Sequence, residues 1–200
     1  MPLLVLTLAA LLFAVWLFGQ PYWLARKRAA IAARPFPDAW RDILRRRVPY
    51  VHAMPADLQL QLKKHIQVFI AEKAFLGCAG QVITDEVRVT IAAQACLLLL
   101  NRPAHYYPGL RQILVYPGSF VVPRAHTDGA GVAHSGRDVL AGESWAQGQV
   151  VLSWQDALEG AATVDDGRNV VIHEFAHQLD QETGSANGAP VLSRTEHYAR

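Results

Sequence analysis

His173, Glu174 and His177 have the types and spacing for hydrolytic chemistry, and they lie together in the run NVVIHEFAHQLD, Asn169–Asp180. This is the H-E-x-x-H pattern. If the run is helical, residues four apart lie on one face, so the two imidazoles converge on a single metal ion. Glu174, next to the first imidazole, then reaches a metal-bound water and takes its proton. The donor set suits Zn2+, which lowers the pKa of its water toward about 7. Glu174 is the catalytic residue in this reading, and His173 and His177 are the metal ligands. The plain alternative is a helix with two surface histidines. Glu174 argues against a purely structural metal site, which gains nothing from a carboxylate that is not a ligand.

The elements around the motif must position it. Asp165, Asp166 and Gly167 read as a turn feeding a helix start, with acids where the helix dipole favours them. Val171, Ile172, Phe175, Ala176 and Leu179 share one side, the face expected to be buried. His173, His177 and Asp180 occupy another stripe, facing a cleft. Gly184 and Gly188 are expected to break the helix. After His177 the chain runs Gln178-Leu179-Asp180-Gln181-Glu182-Thr183, without the Gly and third His of a metzincin. The third protein ligand must then come from another element, most often a Glu on a later helix. Asp180 reads either as an acceptor behind a ligand imidazole or as a solvated residue of the last turn.

Composition sets the frame. Two hundred residues at 52% hydrophobic content suffice for one domain with a core. A formal net charge of +2, with no basic stripe among aromatics, gives no sign of direct nucleic-acid binding. Cys78 and Cys96 lie in apolar surroundings and read as buried reduced thiols, a single bridge between them being the alternative.

The N-terminus reads as a membrane anchor over residues 1–25. Leu3 to Phe18 carries no charge, Trp16, Tyr22 and Trp23 suit an interfacial belt, and Arg26-Lys27-Arg28 follows. The positive-inside rule then predicts a single-pass protein of the inner (cytoplasmic) membrane whose domain faces the cytoplasm. A cleaved signal peptide and a buried core helix are the alternatives. Residues 26–50, with Pro35, Pro37, Pro49 and Arg45-Arg46-Arg47, read as a basic juxtamembrane connector able to touch anionic headgroups. Residues 51–200 form the expected catalytic domain.

Within that domain, Pro55 to Phe75 has the apolar spacing of an amphipathic helix, with His65 at the edge of its core face. Thr84-Asp85-Glu86 opens a second, largely apolar helix reaching Leu100, expected to be the central buried one. Ile113 to Tyr116, Phe120 to Val122 and Val150 to Trp154 read as short strands. Arg124 to Arg137, Gly-rich and polar, reads as a mobile loop whose His126 and His134 are either solvated or metal ligands. Zincins align extended substrates on an edge strand, and Val150 to Trp154 is the expected one.

The stretches TDEVRVTIAAQACLLL, YYPGLRQILVYPGSFVV, GESWAQGQVVLSW and NVVIHEFAHQLDQETG, in that order, resemble the Mlc titration factor A family of zinc-dependent peptidases. The likeness runs from about Phe36 to Leu192. It implies a gluzincin-like fold, mainly helical with a small sheet, and aminopeptidase activity, with His173 and His177 on zinc and Glu174 as general base. The family's enteric member also binds a sugar-responsive transcriptional repressor. By the same resemblance the third ligand, a Glu on a later helix, lies beyond Arg200, so the chain reads as a C-terminally truncated copy. Within the chain, Glu196 is the acid at a spacing some gluzincins use, and His197 is a weaker substitute.

The expected architecture is therefore α+β: a mainly helical zincin-like metallopeptidase domain with a small sheet, preceded by a transmembrane helix. The expected function is zinc-dependent peptide hydrolysis of a peptide substrate. Its rival is a zinc-containing regulatory protein that sequesters a transcriptional repressor.

Overall fold

The computed structural model describes residues 2–127, 133–140, 142–145, 148–163 and 167–182. The chain divides into two compact units, Met1–Pro35 and Phe36–Arg200.

The first unit is one helix, α1 (Pro2–Ala32), of 31 residues. It does not end with its apolar run. It carries Pro21 inside and continues unbroken through Arg26, Lys27 and Arg28, with the Lys27 ammonium 5.5 Å from the centroid of the Trp23 ring. Among the described residues no helix is long and apolar enough to cross a membrane, which corrects the expected N-terminal transmembrane helix. The chain is uncharged from Leu3 to Ala25, but the apolar run within it, Leu3–Phe18, falls short of the roughly 20 apolar residues a span needs, and Gly19, Gln20 and Pro21 follow it directly. The expected single-pass placement in the inner membrane, with a domain facing the cytoplasm, is corrected with it. The positive-inside rule orients only a segment that spans.

The second unit is mainly helical with a small, largely parallel sheet. It begins with α2 (Asp38–Arg47), whose acidic first turn and basic last turn both complement the helix dipole. The arginines of this helix, expected to meet headgroups, find carboxylates instead. Arg46 and Arg47 both reach Glu86, at 3.0 and 2.6 Å, and Arg45 pairs with Asp42. Those two guanidinium groups hold the Glu86 carboxyl below its ordinary range, the Arg47 hydrogen bond most of all.

A 3-10 turn (Pro49–Ala53) leads into α3 (Ala56–Glu72), which buries Leu62, Ile66 and Phe69. Then comes α4 (Asp85–Leu97), capped by Thr84 Oγ1, which accepts from Val87 N. It is buried almost throughout, as its apolar sequence predicts, but it stops at Leu97 rather than Leu100. Two short helices follow later in the chain, α5 (Trp154–Ala162) and α6 (Val170–Gln181).

The main sheet has the order β1 (Ala74–Gly77), β2 (Gln112–Tyr116), β6 (Gln149–Ser153), β5 (Gly142–Trp145). The first three strands are parallel, Phe75 opposite Ile113 and Ile113 opposite Val150, and β5 adds antiparallel to β6. The strand expected at the edge, β6, is therefore interior, and β5 forms that edge. β3 (Phe120–Thr127) and β4 (Ala133–Leu140) pair antiparallel as a separate ribbon, whose start at Phe120–Val122 was expected as a strand but whose described residues between Arg124 and Arg137 were expected as a mobile loop. Regular pairing satisfies the backbone groups there whatever the side-chain polarity.

The core centres on aromatic packing. Phe69, Tyr107 and Phe175 meet pairwise with ring centroids 4.9 to 6.1 Å apart. The Tyr107 hydroxyl donates to Ala95 O at 2.6 Å, and burial pushes its pKa far up. Tyr106 and Tyr107 both have positive φ, 58° and 52°, a costly conformation for aromatic residues. Lys73 Nζ holds this turn by donating to Tyr107 O and Leu110 O, each at 2.7 Å. Cys78 and Cys96 are both free thiols, as expected, with Cys96 fully buried.

His65, expected at the core's edge, is only 9% exposed. Its Nδ1 lies 2.8 Å from the Tyr106 hydroxyl, and its Nε2 has no hydrogen-bond partner among the described residues. Burial lowers its pKa. The unfolded chain then takes up this proton more readily than the folded one. Stability should therefore fall as pH drops through the unfolded value of about 6.5, the loss levelling off below the folded value. Thermal midpoints measured between pH 8 and 5 should decline less in His65→Asn, and equal declines would exclude this source. Separately, Tyr107→Phe removes one hydroxyl without changing volume and should cost about 0.5–1.5 kcal/mol in denaturant unfolding.

Candidate metal centre on the last described helix

α6 begins where Asn169 supplies the cap. Its Oδ1 accepts from Ile172 N at 2.9 Å, and its carbonyl accepts from His173 N at 3.0 Å. The helix thus begins at Val170, where the apolar run was expected to start, with Asn169 as its cap. Gly167 is in a left-handed conformation, φ 65°, while Asp165 and Asp166 lie outside the described residues. Gly184, Gly188, Glu196 and His197 lie outside them as well.

The predicted faces are largely as observed. Val171, Phe175 and Leu179 are buried, with Phe175 in the aromatic cluster, while Ile172 is half-buried and Ala176 is exposed. α6 packs against α4, α5, β5 and β6. His173 and His177 are exposed on one face, their rings 4.6 Å apart and nearly perpendicular. Their Nε2 atoms are 3.1 Å apart.

That separation fits one metal ion. Two nitrogens at about 2.0–2.1 Å from a tetrahedral ion lie roughly 3.3 Å from each other. The pair is within a few tenths of an ångström of that spacing. Among the described residues no third His, Cys, Asp or Glu joins the two. Glu174, between them in sequence, is 5% exposed and belongs to the packed side of the helix. Asp180 is buried too, so the solvated reading of it is excluded. Beside His173 lies an open hollow of about 220 Å³ lined also by Gly167, Arg168, Asn169 and Val170.

The remaining histidines divide. His65 is committed to Tyr106 in the core and takes no part here. His126 and His134 are register partners on the β3–β4 ribbon, and their side chains lie outside the described set. Sequence reasoning missed two features next to the motif. The first is the amide pair Asn169–Gln94, with Asn169 Nδ2 donating to Gln94 Oε1 at 2.7 Å. An Asn directly before the first apolar residue of the helical run is a cap signal that could have marked Asn169. The second is β5 as the antiparallel edge strand next to α6.

Comparison with known proteins points to a metallopeptidase family. A family model described as "Glucose-regulated metallo-peptidase M90" matches residues 22–200. The uncharacterized protein slr2042 of Synechocystis sp. (strain ATCC 27184 / PCC 6803 / Kazusa) is 40% identical over 186 residues, 92% of this chain and 68% of that protein. Mlc titration factor A of Yersinia enterocolitica is 32% identical over 155 residues, covering 77% of this chain and 57% of the relative. Its counterpart in Yersinia pestis (strain Pestoides F) is 31% identical over 155 residues, with 56% of that protein covered. The chain therefore spans little more than half the length of these titration factors.

Proposed function

The chain belongs to the glucose-regulated metallo-peptidase M90 family, and from that premise we propose that it is a zinc-dependent metallopeptidase acting through α6. The observation that carries this reading is the pair of exposed imidazoles, His173 and His177, with Nε2 atoms 3.1 Å apart. They would hold the ion, and the resemblance to the family implies a third, carboxylate ligand from a later helix. Bound zinc would supply an acidified water and polarise the scissile carbonyl.

Glu174 then acts as the general base, accepting the water's proton and passing it to the leaving amine. Its burial limits competition from bulk solvent and sharpens its electrostatic interactions. β5, at the edge of the sheet among the described strands and packed on α6, offers a strand along which an extended peptide can align. Removal of residues from a peptide's N-terminus, aminopeptidase action, is the specificity the resemblance favours.

A second reading draws on the relatives named Mlc titration factor A. Here the zinc-bearing domain sequesters a transcriptional repressor, and turnover is incidental. Glu174 separates the two, because repressor capture has no use for a general base.

Glu174→Gln should lower peptide turnover by roughly 10²–10⁴-fold while zinc content stays at the unmodified level. Unaltered turnover would remove Glu174 from the mechanism. His177→Ala should lose the zinc itself, measured by metal analysis of the purified chain. Chelation of the unmodified protein should abolish turnover, and added Zn2+ should restore it. Activity that survives complete metal removal would sink the metallopeptidase reading.

A further inference from the structure

We propose that Asn169, held by Gln94 and Gly160, is a positioning residue that sets where the His173 imidazole stands relative to His177. The proposal rests on the reading of those two histidines as metal ligands.

Asn169 does more than a cap requires. Capping α6 needs one acceptor, and Oδ1 supplies it to Ile172 N at 2.9 Å. Serine or aspartate would serve equally well for that. The side chain also spends both of its amide protons, on Gln94 Oε1 at 2.7 Å and on Gly160 O at 2.8 Å. An asparagine amide has two donors and one acceptor oxygen, and every one of them is engaged. Its rotation is therefore fixed. A flipped amide would set oxygen against two acceptors and an NH2 against the Ile172 N–H.

The partners are fixed in turn. Gln94 is fully buried in α4, and its Nε2 donates to Thr90 O and to Ala157 O, both at 3.1 Å. One amide thereby ties α4 to α5, and the next ties both to α6. Gly160 closes the clamp from the other side. A Cβ there would meet Asn169 Cα at 3.0 Å, Cγ at 3.1 Å and Nδ2 at 3.3 Å.

The clamp acts on the ligand through a short path. His173 N donates to Asn169 O at 3.0 Å, so the backbone of the first ligand hangs on the clamped residue. His177 stands one turn further along a helix of only 12 residues. The axial position and rotation of that helix are thus set at Asn169. Asn169 and His173 also line the same open hollow, so a shift in one changes the space beside the other.

The full chain tests this with two variants that disturb Asn169 by different routes. Asn169→Ser keeps a cap acceptor but deletes both donors. Gly160→Ala removes no hydrogen-bonding group and pushes Asn169 by contact alone. Val48→Ala, in a buried position away from α6, serves as the control for a general loss of stability. Two properties are read on the folded chains: the Zn2+ dissociation constant by chelator competition, and, without metal, the imidazole 15N signals of His173 and His177.

Both clamp variants should weaken Zn2+ binding by about 10–100-fold and move the imidazole signals, while Val48→Ala changes neither. Unmoved signals in the clamp variants, with zinc affinity at the unmodified level, would reduce Asn169 to a simple cap and overturn the proposal. If the chain bound no zinc even when the segment carrying the third ligand was supplied, the ligand reading would fail by itself, and the metal-free imidazole signals would still decide the clamp. Should Asn169→Ser not fold, Gly160→Ala carries the same two readouts.

Discussion

Two imidazoles 3.1 Å apart make a metal site only if the helix beneath them cannot slide, and the amide pair of half-buried Asn169 and buried Gln94 is what opposes sliding. Each buried amide group left without a partner costs about 1–3 kcal/mol. In this network the partners lie on three different helices, α4, α5 and α6. Moving any one of them unpairs groups on the others, so the arrangement breaks as a unit rather than by degrees. Hydrophobic contacts alone are less exacting, since apolar surfaces can slide over one another with little change in buried area.

The other side of α6 is fixed by volume rather than direction. Phe175 enters the cluster with Phe69 and Tyr107, and Tyr107 is itself anchored through its hydroxyl to Ala95 O. That anchor requires Tyr106 and Tyr107 to adopt left-handed backbone conformations, at about 1–3 kcal/mol each. Two charge-assisted hydrogen bonds from the buried Lys73 ammonium to the same turn offset that strain. α4 is the common element. Ala95 receives the Tyr107 hydroxyl and neighbouring Gln94 receives the Asn169 amide, so one buried helix registers both faces of α6.

What could be read from the sequence were the features whose signal is local. The H-E-x-x-H helix, the Thr84 cap, the buried character of α4 and strands β2 and β6 all follow from period and capping within a few residues. Features set by distant partners were not legible. Which strand lies at the edge depends on pairing, so β6 was mistaken for the edge that β5 occupies. The β3–β4 ribbon hides behind Gly, Ser and His residues that lack an apolar alternation. The Arg45-Arg46-Arg47 run has the composition of a headgroup-binding segment, but Glu86, far along the chain, gives it a protein partner. For α1, Gly19, Gln20 and Pro21 were counted within the anchor of residues 1–25, although they interrupt its apolar run. Of the site itself, the sequence revealed the two imidazoles and the carboxylate between them but not the clamp, because Gln94 lies on another helix far upstream.

The burial pattern of α6 bears on why it is built this way. A helix selected for stability alone would fill its inner face with apolar side chains, as α4 nearly does. α6 buries Glu174, Gln178 and Asp180 beside Phe175 and Leu179, while leaving Ala176 exposed between two histidines. Burying a carboxylate is unfavourable unless it is hydrogen-bonded or neutralised, and Glu174 and Asp180, buried within seven residues of one helix, each keep an interaction partner. An inner face composed in this way replaces part of its apolar packing with polar contacts. The clamp at the start of α6 and the aromatic cluster at its middle hold that inner face in place. The exposed face is left to carry the two imidazoles.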